Sequence, residues 1–98
     1  MNINKIKNGN ALVVEVEGRV DSLTAPQLEQ ALQAALEGVN DFTLDLAKMD
    51  FISSAGLRVV LWANWTMQKQ GKMKVINVSE LVREVFDLTG FSDILTIE

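Results

Sequence analysis

The chain has 98 residues, with 13 acidic against 9 basic side chains and neither cysteine nor histidine. That length suits one domain around a single core, and the missing residue types exclude disulfides, thiolate catalysis, imidazole bases and most transition-metal sites. The formal charge of −4 leaves no excess of cations to displace counterions from a phosphate backbone, so no nucleic acid is expected as a partner. Apolar runs broken by charge argue against membrane insertion.

The opening "MNINKIKNGN" has neither a basic start followed by an apolar core nor a small-residue cleavage site. A cytoplasmic protein is the expectation. "NINKIK" and "ALVVEVEG" read as two strands joined by a tight reversal at Asn8 and Gly9, residues that tolerate positive φ. In the second strand, Leu12, Val14 and Val16 alternate with Val13, Glu15 and Glu17, the period of a sheet covered on one side.

From Thr24 to Leu36, Leu28, Ala31, Leu32 and Ala35 fall on one helical stripe. Thr24 and Gln27 have capping-box spacing, Pro26 sits in the first turn, and Gly38 supplies a left-handed end. "FTLDL" alternates Phe42, Leu44 and Leu46 against Thr43 and Asp45 as a strand. A helix from Ala55 to Gln70 follows, with one apolar row through Leu57, Val60, Leu61 and Trp65 and another through Ala55, Val59, Trp62 and Thr66. Both tryptophans are expected in the core. After Gly71, "KMKVINV" is again extended. Ser79 starts a last helix whose Leu81, Val82, Val85 and Phe86 share a stripe, Gly90 ends it, and "ILTI" closes the chain as a strand.

Alternating strands and helices of this order predict an α/β fold: a mixed, mostly parallel sheet, an antiparallel hairpin at its N-terminal edge, and about three main helices. In such sheets the loops at the carboxyl ends of the strands share one rim, where ligands and partners meet the fold. Two polar segments should lie there. "GRVDSLTAP" brings Asp21, Ser22 and Thr24, and "DFISSAGLR" brings Asp50, Ser53, Ser54, Ala55, Gly56 and Arg58.

Serines at a helix start cap exposed N–H groups. The same position suits a phosphoserine, because first-turn amides and the positive end of the helix dipole favour a dianion. Arg58, four residues after Ser54, is placed to reach such a phosphate. Catalysis is not expected: "SSAG" is no nucleophile elbow, and the chain has neither a phosphate-binding glycine loop nor a dinucleotide fingerprint. No cofactor or metal is expected.

Three blocks, "VVEVEGRVDSLTAPQLEQAL", "FTLDLAKMDFISSAGLRVVL" and "GKMKVINVSELVREVFDLTGF", together resemble the anti-sigma factor antagonist family, the stand-alone form of the STAS domain. The resemblance spans nearly the whole chain, so residues 1–98 read as one STAS domain. It implies a bacterial regulator that, unmodified, sequesters an anti-sigma factor serine kinase and frees the sigma factor. Phosphorylation by that kinase would release it, and a PP2C-type phosphatase would restore the binding form. The family's modified serine aligns with Ser54, and its acidic residue in the first strand-to-helix loop aligns with Asp21. Two positions depart from the pattern: Ser53 stands where the family commonly has aspartate, and Ala55 where it often has serine or threonine. Ser54 is the expected phosphate acceptor and Ser53 the alternative. A constitutive scaffold, such as an accessory subunit of a lipid-transport ATP-binding machine, and a small nucleotide-binding protein are the competing functions.

Overall fold

The computed structural model describes residues 1–98. Strands β1 (Asn2–Asn8) and β2 (Ala11–Val20) pair antiparallel about Gly9, whose φ of +63° carries the reversal. β2 then pairs in parallel with β3 (Asp41–Asp45), and β3 in parallel with β5 (Lys72–Ile76), giving the order β1-β2-β3-β5. Lys5 and Lys7 of the edge strand lie opposite Val14 and Leu12, on the apolar side of the sheet. Charges in that position oppose pairing of the free edge with another chain.

The predicted alternation holds in β2. Leu12, Val14, Val16 and Val20 are buried, while Glu17 and Arg19 are exposed. Onto this apolar face fold α1 (Ala25–Ala35) and α2 (Ser54–Gln68), which contact each other; α2 also touches the sheet at β4 (Met49–Ile52) and β5. Helix α3 (Glu80–Thr89) contacts β4. Leu28, Leu32, Phe42, Leu44, Val60 and Phe86 are fully enclosed.

Two local devices lock the layers together. A Cβ on Gly71 would stand 2.0 Å from the Asn40 carbonyl oxygen, which accepts from the Lys72 N–H at 3.0 Å, so only glycine fits that approach. Beside it, the Gln70 side-chain amide donates to the carbonyls of Leu36 and Val39 at 2.6 and 2.7 Å. The turn after α2 thereby gives the Val39 carbonyl its donor and adds a second one to the Leu36 carbonyl, which also accepts from the Val39 N–H at 3.1 Å.

Several expectations are corrected. β4 was not foreseen: it has four residues, too few to display an alternation, and pairs only with the far end of β2, Val20 opposite Ile52, past a register shift at Gly18 and Arg19. The closing strand shrinks to a single bridge between Val75 and Ile97. Gly90, at φ +80°, turns the chain into a short 3-10 helix, Phe91–Asp93, whose Phe91 stacks on Phe86 and whose turn bonds run on to Leu95, taking Ile94 and Leu95 out of the expected strand. Trp62 is half-buried and packs against the core, but Trp65 is 56% exposed, since the sheet and α1 cover only one side of α2. Leu81 is likewise exposed rather than sharing the inward stripe of Val82 and Phe86. Thr24 makes no side-chain cap at α1.

Candidate functional site

Pairing of β2 with β4 brings the two polar segments together. The Ser53 N–H donates to the Val20 carbonyl at 2.9 Å, which ties the start of α2 directly to the loop that carries Asp21. The two strand ends can approach closely because residue 56 is glycine. A Cβ there would lie 2.7 Å from Ile52 Cγ1 and 2.8 Å from Val20 Cγ1.

In the first loop, the Asp21 side chain closes the turn ahead of α1 and caps no N–H of the helix itself. Its Oδ1 accepts from the N–H groups of Leu23 and Thr24 at 3.0 and 3.2 Å, and its Oδ2 lies 3.1 Å from Arg19 Nε. The Thr24 hydroxyl accepts from the Asp21 N–H at 2.9 Å and donates to the Arg19 carbonyl at 3.0 Å, with Asp21 Oδ1 at 3.3 Å. This replaces the capping box predicted between Thr24 and Gln27: the threonine oxygen is turned back into the loop. The Leu23 N–H, followed by those of Thr24, the Arg19 guanidinium and the Thr24 hydroxyl, holds the Asp21 carboxyl below its ordinary value of 3.8, against an opposing effect of desolvation. Arg19 is itself fixed, with its guanidinium carbon 4.1 Å above the centre of the Phe51 ring.

The two serines occupy different environments. Ser53 is half-buried at the N-cap of α2, in extended backbone, and its Oγ accepts from the Gly56 N–H at 3.5 Å. Ser54 is the first helical residue and is exposed; its hydroxyl makes no hydrogen bond within the protein. The following residue, Ala55, lines a groove of about 310 Å³ between α1 and α2, together with Ser22, Ala25, Pro26, Glu29, Arg58, Val59 and Trp62. Arg58 is exposed and forms no ion pair.

Asp21, Ser22, Thr24, Ser53, Ser54, Ala55 and Arg58 therefore belong to one rim, whereas Gly56, expected among the partner contacts, is buried beneath it against Ile52 and Val20. Asp50 does not join them: it is an exposed residue inside β4, not a turn or cap residue, and has no hydrogen bond to either loop. Sequence reasoning missed Arg19 and Phe51, the pair that braces Asp21. The Arg-x-Asp spacing at 19 and 21 was the one available sign, and it gains meaning only once β4 lies alongside.

The STAS domain family model matches residues 2–98. The chain belongs to the STAS domain family. It is 39% identical over 99% of its length, and 85% of the relative's, to BtrV of Bordetella bronchiseptica, a protein named for the anti-sigma factor antagonists. Its backbone superposes on an anti-sigma factor antagonist from Mycobacterium paratuberculosis with a TM-score of 0.89 at 26% identity, covering 98% of this chain and 83% of that one. The fold is also that of the antagonist SpoIIAA in its unphosphorylated form, with a TM-score of 0.82 at 19% identity over 99% and 88% of the two chains, and of SpoIIAA from Bacillus in its phosphorylated form, at 0.76 and 18% over 99% and 91%. As a STAS domain, the chain has the α/β architecture read from its sequence, with three main helices and the antiparallel edge hairpin.

Proposed function

We propose that this chain is an anti-sigma factor antagonist that, unmodified, sequesters an anti-sigma factor serine kinase and is released by phosphorylation on Ser54. The observation that carries the reading is the difference between adjacent serines: Ser53 Oγ is engaged in capping, whereas Ser54 Oγ is exposed and free to react. The kinase brings ATP and the base. The Ser54 oxygen bonds to the γ-phosphorus as the bond to ADP breaks, and the hydroxyl proton passes to the kinase. Dependence on ATP assigns the exchange to the cytoplasm, and a PP2C-type phosphatase hydrolyses the phosphoester to reset the cycle.

Geometry supports a switch by charge rather than by refolding. The dianion would sit at the start of α2, where the backbone amides and helix dipole stabilise it and Arg58 lies one turn on. It would also stand one residue before Ala55, which lines the α1–α2 groove, so a partner that had packed there would have to desolvate two new negative charges. Asp21, Ser22, Thr24 and Ala55 complete the contact surface, and Gly56 permits the close packing beneath it. The existence of SpoIIAA in both forms on one fold agrees with this.

The test is incubation with the cognate kinase and ATP, read by intact-protein mass. Wild type and Ser53→Ala should each gain one phosphate and Ser54→Ala none. Modification of Ser54→Ala to the full extent would transfer the role to Ser53. Absence of phosphate from every form, with stable association to a transporter ATPase, would establish the constitutive scaffold instead.

A further inference from the structure

Helix α3 has two apolar faces where one suffices for packing. Val82 and Phe86 are fully buried. One step round the helix, Leu81, Val85 and Leu88 form an i, i+4, i+7 row in which Val85 is half-buried, Leu81 is 57% exposed and Leu88 is 81% exposed. Three aligned apolar residues on an exposed helix are a docking pattern rather than isolated surface leucines. Glu80 and Glu84 flank the row on one side, both exposed and both without an ion pair, while Arg83, the helix's one cation, lies beyond them from the row with its Nε 3.9 Å from Asp87 Oδ1.

We propose that this outer face of α3 is a second docking surface, distinct from the serine-bearing rim, for an amphipathic helix of a partner protein that carries lysine or arginine beside its own apolar row. The charge pattern selects that occupant. A second copy of this chain is disfavoured, because a twofold axis that sets two α3 rows together antiparallel places Glu84 of one against Glu84 of the other, and a parallel pairing brings no cation to the carboxylates. A membrane surface is disfavoured because Glu80 and Glu84 repel anionic headgroups. A basic helix instead buries the leucines and answers both carboxylates, the helix-in-groove mode with its anchors supplied by α3.

The probe is a helical peptide of about five turns, with leucines at i, i+4 and i+7 flanked by lysines, and a twin with glutamate at the flanking positions. Titrated into the isotope-labelled protein, the lysine peptide should shift amide resonances of residues 80–89. Leu81→Ser/Leu88→Ser should abolish those shifts, and Glu80→Gln/Glu84→Gln should weaken binding about threefold to tenfold. The glutamine variant keeps the test intact if the serine variant fails to fold. Ser54→Asp should leave peptide binding unchanged, which separates this surface from the phosphorylation reading. Equal binding of the glutamate twin, shifts confined to other elements, a dimer in sedimentation that Leu88→Ser dissolves, or adsorption to phosphatidylglycerol vesicles that Leu88→Ser abolishes would each overturn the proposal.

Discussion

Replacing Ser53 and Ser54 one at a time separates the capping role from the displayed hydroxyl. An N-cap serine changed to alanine costs about 0.5–2 kcal/mol. Here the oxygen accepts from the Gly56 N–H at 3.5 Å, the long limit of such a bond, which places Ser53→Ala at the lower end, about 0.5–1 kcal/mol. For a domain of this length that is a fall in melting temperature of about 2–8 °C. Ser54→Ala removes no hydrogen bond and installs a better helix former, so its stability should stay within about 0.5 kcal/mol of wild type. Ser53→Asp should add about 0.3–1 kcal/mol through the helix dipole. A carboxylate favoured there has a folded pKa below its unfolded one. Its contribution is therefore complete above about pH 4 and disappears as pH falls through the folded value. Thermal melts followed by circular dichroism at pH 7 and pH 3 measure all three. A larger loss for Ser54→Ala than for Ser53→Ala, or a gain for Ser53→Asp that persists at pH 3, would refute the division of roles between the two serines.

Other consequences follow from the packing. Gly71→Ala should cost about 3 kcal/mol or more in chemical denaturation, because its Cβ meets the Asn40 backbone carbonyl at 2.0 Å; Gly56→Ala should cost less, about 1–3 kcal/mol, since it meets only the side chains of Ile52 and Val20. Gln70→Ala leaves the Val39 carbonyl without its donor and the Leu36 carbonyl with the Val39 N–H alone, for an expected loss of about 1–3 kcal/mol in the same assay. The depressed Asp21 pKa means that its stabilising effect is complete above the ordinary 3.8 and is lost as pH falls through the lower folded value. Protection of the Leu23 and Thr24 amides, taken relative to their intrinsic exchange rates at each pH, should fall across that range in wild type, and Asp21→Asn should abolish the transition.

The sequence by itself determined the elements whose information is local. Alternation in Leu12–Val16 and Phe42–Leu46, the stripe through Leu28 and Leu32, and the Ser79 and Gly90 boundaries all lie within one strand or one helix, where neighbouring side chains fix the period. The rim residues were legible for the same reason, since Asp21, Ser53 and Ser54 stand at element ends that short polar segments mark. Tertiary structure decided what depends on contact between distant segments. β4 exists because the end of β2 offers it a partner, and the closing strand is reduced to its bridge at Ile97 because the turn after α3 runs on to Leu95, whose N–H donates to the Phe91 carbonyl. The same dependence sorted equal-looking side chains: Trp65 and Leu81 fit the periodicity of inward rows, yet neither has an element lying over it. It also assigned Ser53 to capping and left Ser54 displayed, a distinction that two adjacent serines cannot carry until the helix start is held against Val20.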